Sequence, residues 1–312
     1  MRRIAYLLVP DFQVMLFGGL TAFEVANHCL KTPYYDIHLI SESGGLVRSS
    51  LGYSVSTEPF GNQPFDTIIV GGALNIERAS PAVLNFLIQA MHSSRRVSSM
   101  CTGAFYLAQA GLLDDRRATT HWAFARRLQA EFPKTKVDED RIFIVDGSVW
   151  TSAGMTAGTD LAVAMIEQDL GTEMAKMVAK KLVMFHRRAG GQLQHSALLE
   201  LDAKSDRIQN ALVYAKNHLR TPLSVHQLAD AANLSPRQFS RAFRAETGRS
   251  PAKAVESLRV EAARSMMDQG QLPIDVIARE TGFADRNRMR RAFLRAFGQP
   301  PQAMRRNARE MV

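Results

Sequence analysis

Two sets of residues in this chain are placed to do chemistry. The first is the stretch RRVSSMCTGAFYLAQAGLL, residues 95–113, where an apolar run ends in Cys101, Thr102 and a glycine before a helical pattern begins. A thiol at a strand-to-helix turn lies where a helix N-terminus can lower its pKa and favour the thiolate. His121 follows inside RRATTHW and could serve that thiol as a base or a hydrogen-bond partner. By residue type alone, Cys101 reads as a catalyst, a ligand contact or a buried thiol, and His121 as a base or a satisfied polar group.

The second set is cationic and lies at the other end of the chain. Residues 1–205 hold 20 Lys and Arg against 20 Asp and Glu, whereas residues 206–312 hold 19 against 10, so the whole net charge of +9 belongs to the last third. Charge confined to one domain is the electrostatic footprint of a nucleic-acid binder. Within it, residues 225–251 and 274–301 repeat one pattern: Phe243, Gly248 and Pro251 in the first copy stand at the spacing of Phe293, Gly298 and Pro301 in the second.

Each copy predicts a short helix, a tight turn and a second helix, a helix-turn-helix over about 225–246 and again over about 274–297. Phe239 with Phe243, and Met289 with Phe293, recur at i, i+4 and should face inward. Ser235 before Pro236 is a helix start, Asp285 can cap the second copy, and Gly248 and Gly298 suit the left-handed turn that ends a helix. Facing outward are Arg237, Gln238, Ser240, Arg241 and Arg244, then Arg286, Asn287, Arg288, Arg290 and Arg291. Arginine reads guanine bidentately and Gln or Asn reads adenine, while other contacts hold phosphates and only position the protein. The intervening AKAVESLRVEAARSMMDQG reads as one connecting helix. It would set two readers into successive major grooves, about 34 Å apart on one face of double-stranded DNA.

With both units and the signatures GRSP and GQPP, residues 206 to about 306 resemble the DNA-binding domain of the AraC/XylS family of transcription regulators.

At 312 residues the chain exceeds what one core usually organises, and 46% hydrophobic with 22% charged residues describes a folded protein. The opening MRRIAYLLVPDF pairs arginines with an apolar run, yet the run from Ile4 to Val9 is too short for a secretory signal and no small-residue cleavage site follows. It reads as a first strand. No segment reaches the roughly 18 apolar residues that span a bilayer, so no membrane role and a cytoplasmic location are expected. Two cysteines, Cys29 and Cys101, argue against a disulfide framework. With the eight histidines scattered, no metal or cofactor is expected.

Up to about residue 170, strand-like RIAYLLV, YDIHLIS, DTIIVGG, RRVSSM, RIFIVDG and VWTSAG alternate with helical segments such as SPAVLNFLIQAMHSS and WAFARRLQAEF. That alternation predicts a flavodoxin-like α/β/α sandwich with a mostly parallel sheet, followed by an all-α C-terminal domain, so the class is α/β. Ligands in such sheets bind beyond the carboxyl ends of the strands. The turns VGGAL, MCTGA and TSAGMTAGTD stand there, giving Gly72, Cys101, Thr102, Ala153 and Gly154, with Asp11 and His121, as the candidate ligand pocket. Gly190 and Gly191 mark a break, so the domains are read as 1–189, a linker 190–206, and 207–312. The basic amphipathic TEMAKMVAKKLVMFHRR before it offers an apolar stripe to the core or to a dimer contact.

The first 170 residues resemble the PfpI-like branch of the class I glutamine amidotransferase superfamily, on CTGAFYLAQAGLL followed by RRATTHW. The resemblance implies a Cys on the sharp turn and a His after the next strand, matched by Cys101 and His121. It also implies an acidic residue in the first helical region that tunes the cysteine. Here Leu16 stands near that place, and Asp11 is the substitute at the end of the first strand. Joined to an AraC-type tail, the resemblance implies a transcription regulator rather than an enzyme, with no catalytic residues. Its front domain would sense a small, nitrogenous effector such as an amino acid or betaine, act as a homodimer and engage RNA polymerase. The rival readings are a cysteine hydrolase, amidase or hydratase with an appended DNA-binding domain, and an architectural DNA-binding protein with a vestigial front domain.

Overall fold

Strand β1, Arg2–Leu7, explains the first half of the molecule because it is buried on both faces. Alternate residues of the strand and of the two that follow it divide: Ile4, Tyr6 and Leu8 join one apolar cluster, and Ala5, Leu7 and Val9 join another. A strand covered on both sides is what a parallel sheet between two helical layers requires.

In the computed structural model, which describes residues 1–61, 64–184, 190, 194, 201, 203–268 and 272–309, the chain divides into two units, Met1–Gln194 and His195–Val312. The first unit holds helix α1 (Phe17–Cys29), strands β2 (Tyr35–Ser41), β3 (Ser43–Arg48), β4 (Ser54–Pro59) and β5 (Thr67–Val70), and α2 (Pro81–Ser93). It continues with β6 (Arg96–Met100), α3 (Gly103–Gln109), β7 (Arg117–Ala118), α4 (Trp122–Glu131), β8 (Lys136–Val137), β9 (Phe143–Asp146), β10 (Val149–Ser152), α5 (Thr156–Leu170) and α6 (Thr172–Lys181).

Eight strands run in the order β3-β4-β2-β1-β5-β6-β10-β9. From β4 to β10 every neighbour is parallel, and the edge strands β3 and β9 are antiparallel. The order reverses at β1, so the crevice beyond its carboxyl end is the ligand position of a doubly wound sheet. Helices α1, α5 and α6 cover one face through Phe23, Leu161, Ile166 and Val178; α2, α3 and α4 cover the other through Leu87, Phe105 and Leu128. The fold is therefore the expected α/β sandwich.

The hairpin β3 and β4 carries no strand signal in the sequence. SGGLVR holds two glycines and SVSTEP ends in proline, both depleted in strands, and the pair lies at the sheet edge where little is buried. Helix α6 buries Ala175, Val178 and Ala179, so its apolar stripe is core; residues 185–188 of that segment lie outside the described residues, as do 191–193, 195–200 and 202 of the expected linker.

The second unit is helical: α7 (Asp206–Asn217), α8 (Val225–Ala231), α9 (Pro236–Thr247), α10 (Pro251–Asp268), α11 (Ile274–Glu280), α12 (Arg286–Phe297) and α13 (Pro301–Arg309). Helix α10 gives Ala254, Val255 and Leu258 to the core of α7, α8 and α9, and Val260, Ala263 and Met267 to the core of α11 and α12. One helix thus belongs to both cores and fixes the two pairs against each other. Among the described residues, no helix is long and apolar enough to cross a membrane.

Candidate functional site

At the end of β6 the chain turns sharply, with Cys101 at φ +54 and buried. A non-glycine residue there is strained, and the surroundings hold it in place. Cys101 N–H donates to Ser152 O (3.0 Å), and its own carbonyl accepts the Thr120 hydroxyl (2.7 Å). Gly154 lies so close that a β-carbon there would overlap that of Cys101, and its φ of +76 is one that glycine adopts freely.

The other expected loops meet the same turn. Thr102 Oγ1 donates to Ala73 O (2.6 Å), Gln13 N–H donates to Gly72 O (3.1 Å), and Phe12 bridges both Ser49 and Ala73. Ala153 is buried and its N–H donates to Ile142 O (2.8 Å). These contacts tie the segments after β1, β5, β6 and β10 together at the carboxyl end of the sheet. Asp11 follows β1 too, but its side chain is exposed and its φ is +57.

The thiol is held as a thiol. Cys101 Sγ donates to Gln13 Oε1 at 3.7 Å, a neutral amide rather than a carboxylate. Burial pushes the Cys101 pKa up to about 11, against the opposing pull of hydrogen bonds from Thr102. The sequence-based expectation of a helix-favoured thiolate is corrected on this point: desolvation of the charged form outweighs the helix start. The tuning position is also corrected. Leu16 is a core residue whose carbonyl accepts the Tyr6 hydroxyl (3.1 Å), and the group facing the thiol is Gln13. No sequence signal singled out Gln13, because an amide carries no charge and the loop after β1 has no fixed register.

His121 is half-buried and caps α4, its Nδ1 accepting Ala123 N–H at 3.3 Å. Beside it lies a residue that composition had put in the linker. Gln194 accepts Trp122 N–H through Oε1 (2.8 Å) and donates through Nε2 to Thr120 O (2.7 Å) and Arg141 O (3.0 Å). Thr120 therefore joins the Cys101 carbonyl to the last residue of the first unit. Among the described residues, no group of three or more His, Cys, Asp or Glu could hold a metal.

In the second unit the helix starts are those the sequence predicts. Ser235 accepts Gln238 N–H with Pro236 at the first turn, Asp285 accepts Arg288 N–H (2.7 Å), and Gly248 and Gly298 take φ +68 and +67. Phe239, Phe243, Met289 and Phe293 are buried, while Arg237, Gln238, Arg241, Arg244, Arg286, Asn287, Arg288, Arg290 and Arg291 are exposed. Ser240 is half-buried and its hydroxyl donates to Pro236 O (2.8 Å). Gln238 Oε1 accepts both the N–H (3.2 Å) and the hydroxyl (2.7 Å) of Ser235, a capping box on a side chain that is otherwise exposed.

Residues 19–168 match the DJ-1/PfpI family, and residues 228–307 match the family described as a helix-turn-helix domain. The chain is 30% identical to the HTH-type transcriptional regulator GlxA of Rhizobium meliloti (strain 1021), over 98% of this chain and 96% of that protein. It is 32% identical to an isonitrile hydratase of Pseudomonas putida, over 58% of this chain and 77% of the enzyme. A solved AraC family transcriptional regulator from Pseudomonas putida shares the fold with a TM-score of 0.54 at 22% identity, over 58% of this chain and 100% of that one.

Proposed function

Because the chain belongs to the family of helix-turn-helix transcriptional regulators that join a DJ-1/PfpI domain to an AraC-type DNA-binding domain, we propose that it switches promoter binding in response to a small effector. The sensing part is the first unit, Met1–Gln194, and the DNA-binding part lies in the second, His195–Val312. The observation that carries this reading is the pair of helices α9 and α12, each burying its aromatic and methionine side chains and exposing arginines over the only net-charged third of the chain.

The effector binds at the carboxyl end of the sheet, against Cys101, Thr102, Gly72, Ala153, Gly154 and His121. A nitrogenous metabolite would meet there the amide of Gln13 beside the buried Cys101 thiol. Cytoplasmic location, homodimers and contact with RNA polymerase belong to the same reading. A promoter-fragment binding assay at low salt tests it, combined with a thermal-shift screen of amino acids and betaines, since a ligand of the folded state raises its melting temperature. Absence of binding to every fragment, with and without those compounds, overturns it.

The relative that is a hydratase favours one rival, an active cysteine enzyme carrying a DNA-binding appendage. Against it stands the burial of Cys101, which pushes its pKa up to about 11 and disfavours the nucleophilic thiolate. Turnover of an isonitrile that disappears in Cys101→Ala would establish the rival.

A further inference from the structure

The second unit carries a junction that belongs to neither reader alone. Helix α10 has 18 residues and is about 27 Å long; its first half serves the core of α7, α8 and α9, and its second half that of α11 and α12. Arg259 stands where the halves meet, between Leu258 of the first core and Val260 of the second. Its guanidinium donates to Leu219 O (3.2 Å) and Thr221 O (2.8 Å), in the loop between α7 and α8. The side chain is half-buried, and burial pushes its pKa down. Hydrogen bonds from a charged donor are roughly twice as strong as neutral ones.

The turn of the second helix-turn-helix docks at the same point. Gly282 lies so close to Leu219 O that a β-carbon there would overlap it, and that β-carbon would also stand 2.9 Å from Arg259 Nε. The φ of Gly282, +76, is one that glycine adopts freely. Two ion pairs flank this contact. Arg220 of the loop meets Glu280 of α11 (3.3 Å), and Arg295 of α12 meets Glu256 of α10 (2.6 Å). Glu256 lies between Val255 and Leu258, in the half of α10 that serves the first core, so this pair too crosses from one helix-turn-helix core to the other.

A shared helix fixes the separation of two modules but leaves them free to bend and twist along its length, as long helices do. Contacts set off the helix axis remove that freedom. The consequence concerns spacing: with roughly 10.5 base pairs per turn, one extra base pair rotates the second segment by roughly 35° and shifts it by roughly 3.4 Å. We infer that the junction of Leu219, Arg259 and Gly282 sets the angle between α9 and α12, with Arg259 as its positioning residue. The second unit then rejects sites whose two segments are displaced by one base pair. The inference rests on the DNA-binding reading above and adds a spacing rule that resides outside both recognition helices.

Two measurements on the full chain test it. In the first, wild-type protein selects a duplex from a random-sequence library. Fluorescence anisotropy then compares that duplex with a derivative carrying one base pair inserted between the two protected segments, and with a duplex carrying one segment only. Wild type should bind the insertion derivative about tenfold or more weakly, the cost of a mismatched base pair. Arg259→Met keeps an unbranched side chain and removes both hydrogen bonds, so it should reduce that ratio by about threefold or more. Affinity for the single segment should not change, and Arg259→Lys should restore most of the ratio. A wild type that tolerates the insertion, or a ratio unchanged in folded Arg259→Met, overturns the inference. Equal weakening on all three duplexes overturns it in favour of a direct DNA contact. In the second measurement, spin labels at Ala245→Cys and Ala296→Cys, exposed positions of α9 and α12, report their separation in Cys29→Ser, Cys101→Ser protein without DNA. One narrow distance distribution is expected, broadened by Arg259→Met. A broad distribution with Arg259 in place overturns the inference, whether or not the variants fold. A wild type that selects no duplex removes the DNA-binding reading and the spacing rule with it.

Discussion

The protonation state of Cys101 separates a sensor from an enzyme, and it can be measured directly. In Cys29→Ser protein, Cys101 is the sole thiol, and its rate of reaction with an aromatic disulfide reports the thiolate. With burial pushing the pKa up to about 11, roughly one molecule in a thousand is ionised at pH 8. A thiol at the ordinary value of about 8.5 is roughly one-quarter ionised there. That is a deficit of about 200-fold, partly offset because a more basic thiolate is the stronger nucleophile, by about 13-fold at a Brønsted coefficient near 0.45. Cys101 should therefore react about 20-fold more slowly than a free thiol at pH 8, and slower still because it is 2% exposed. Its rate should rise tenfold per pH unit from 7 to 9.5 without levelling. Gln13→Glu places a carboxylate against the sulfur and should depress the rate further, since like charges disfavour the thiolate. A plateau below about pH 8 would refute the reasoning. It would mean that the Thr102 hydrogen bonds and the helix start overcome burial, and that Cys101 is a ready nucleophile.

Three further outcomes follow from the same geometry. Gly154→Ala combines a positive φ with overlap onto Cys101 and should cost about 2–4 kcal/mol, read as a lower urea midpoint; an unchanged midpoint contradicts the close approach. Gln194→Ala removes the acceptor of the Trp122 N–H and one donor each from the Thr120 and Arg141 carbonyls, and should destabilise the first unit by about 1–2 kcal/mol, again measured by urea. Asp66 is held at about 2: burial raises it, but hydrogen bonds from Arg95, Arg2 and Thr67 win. Because its folded value lies below the unfolded one, the stability it contributes is present above about pH 4 and is lost as pH falls through about 2. Asp66→Asn should accordingly flatten the acid limb of a stability profile between those values, and an unaltered limb would exclude this carboxylate as its source.

What the sequence determined by itself is whatever repeats or alternates locally. The spacing of Phe239 with Phe243, and of Met289 with Phe293, sets which face each recognition helix buries, since the α-helical period brings i and i+4 onto one side. Val- and Ile-rich strands between helices declare a doubly wound sheet, and the charge imbalance places the DNA-binding third. Tertiary structure decided everything that depends on a partner distant in the chain. Gln13 meets Cys101 across 88 residues and Gln194 meets Thr120 across 74, contacts with no periodic signature. The upward push on the thiol's pKa follows from the depth of the fold around it. Local pattern specifies which side chains a segment turns inward; only packing specifies what they meet there, and the chemistry of a site belongs to that meeting.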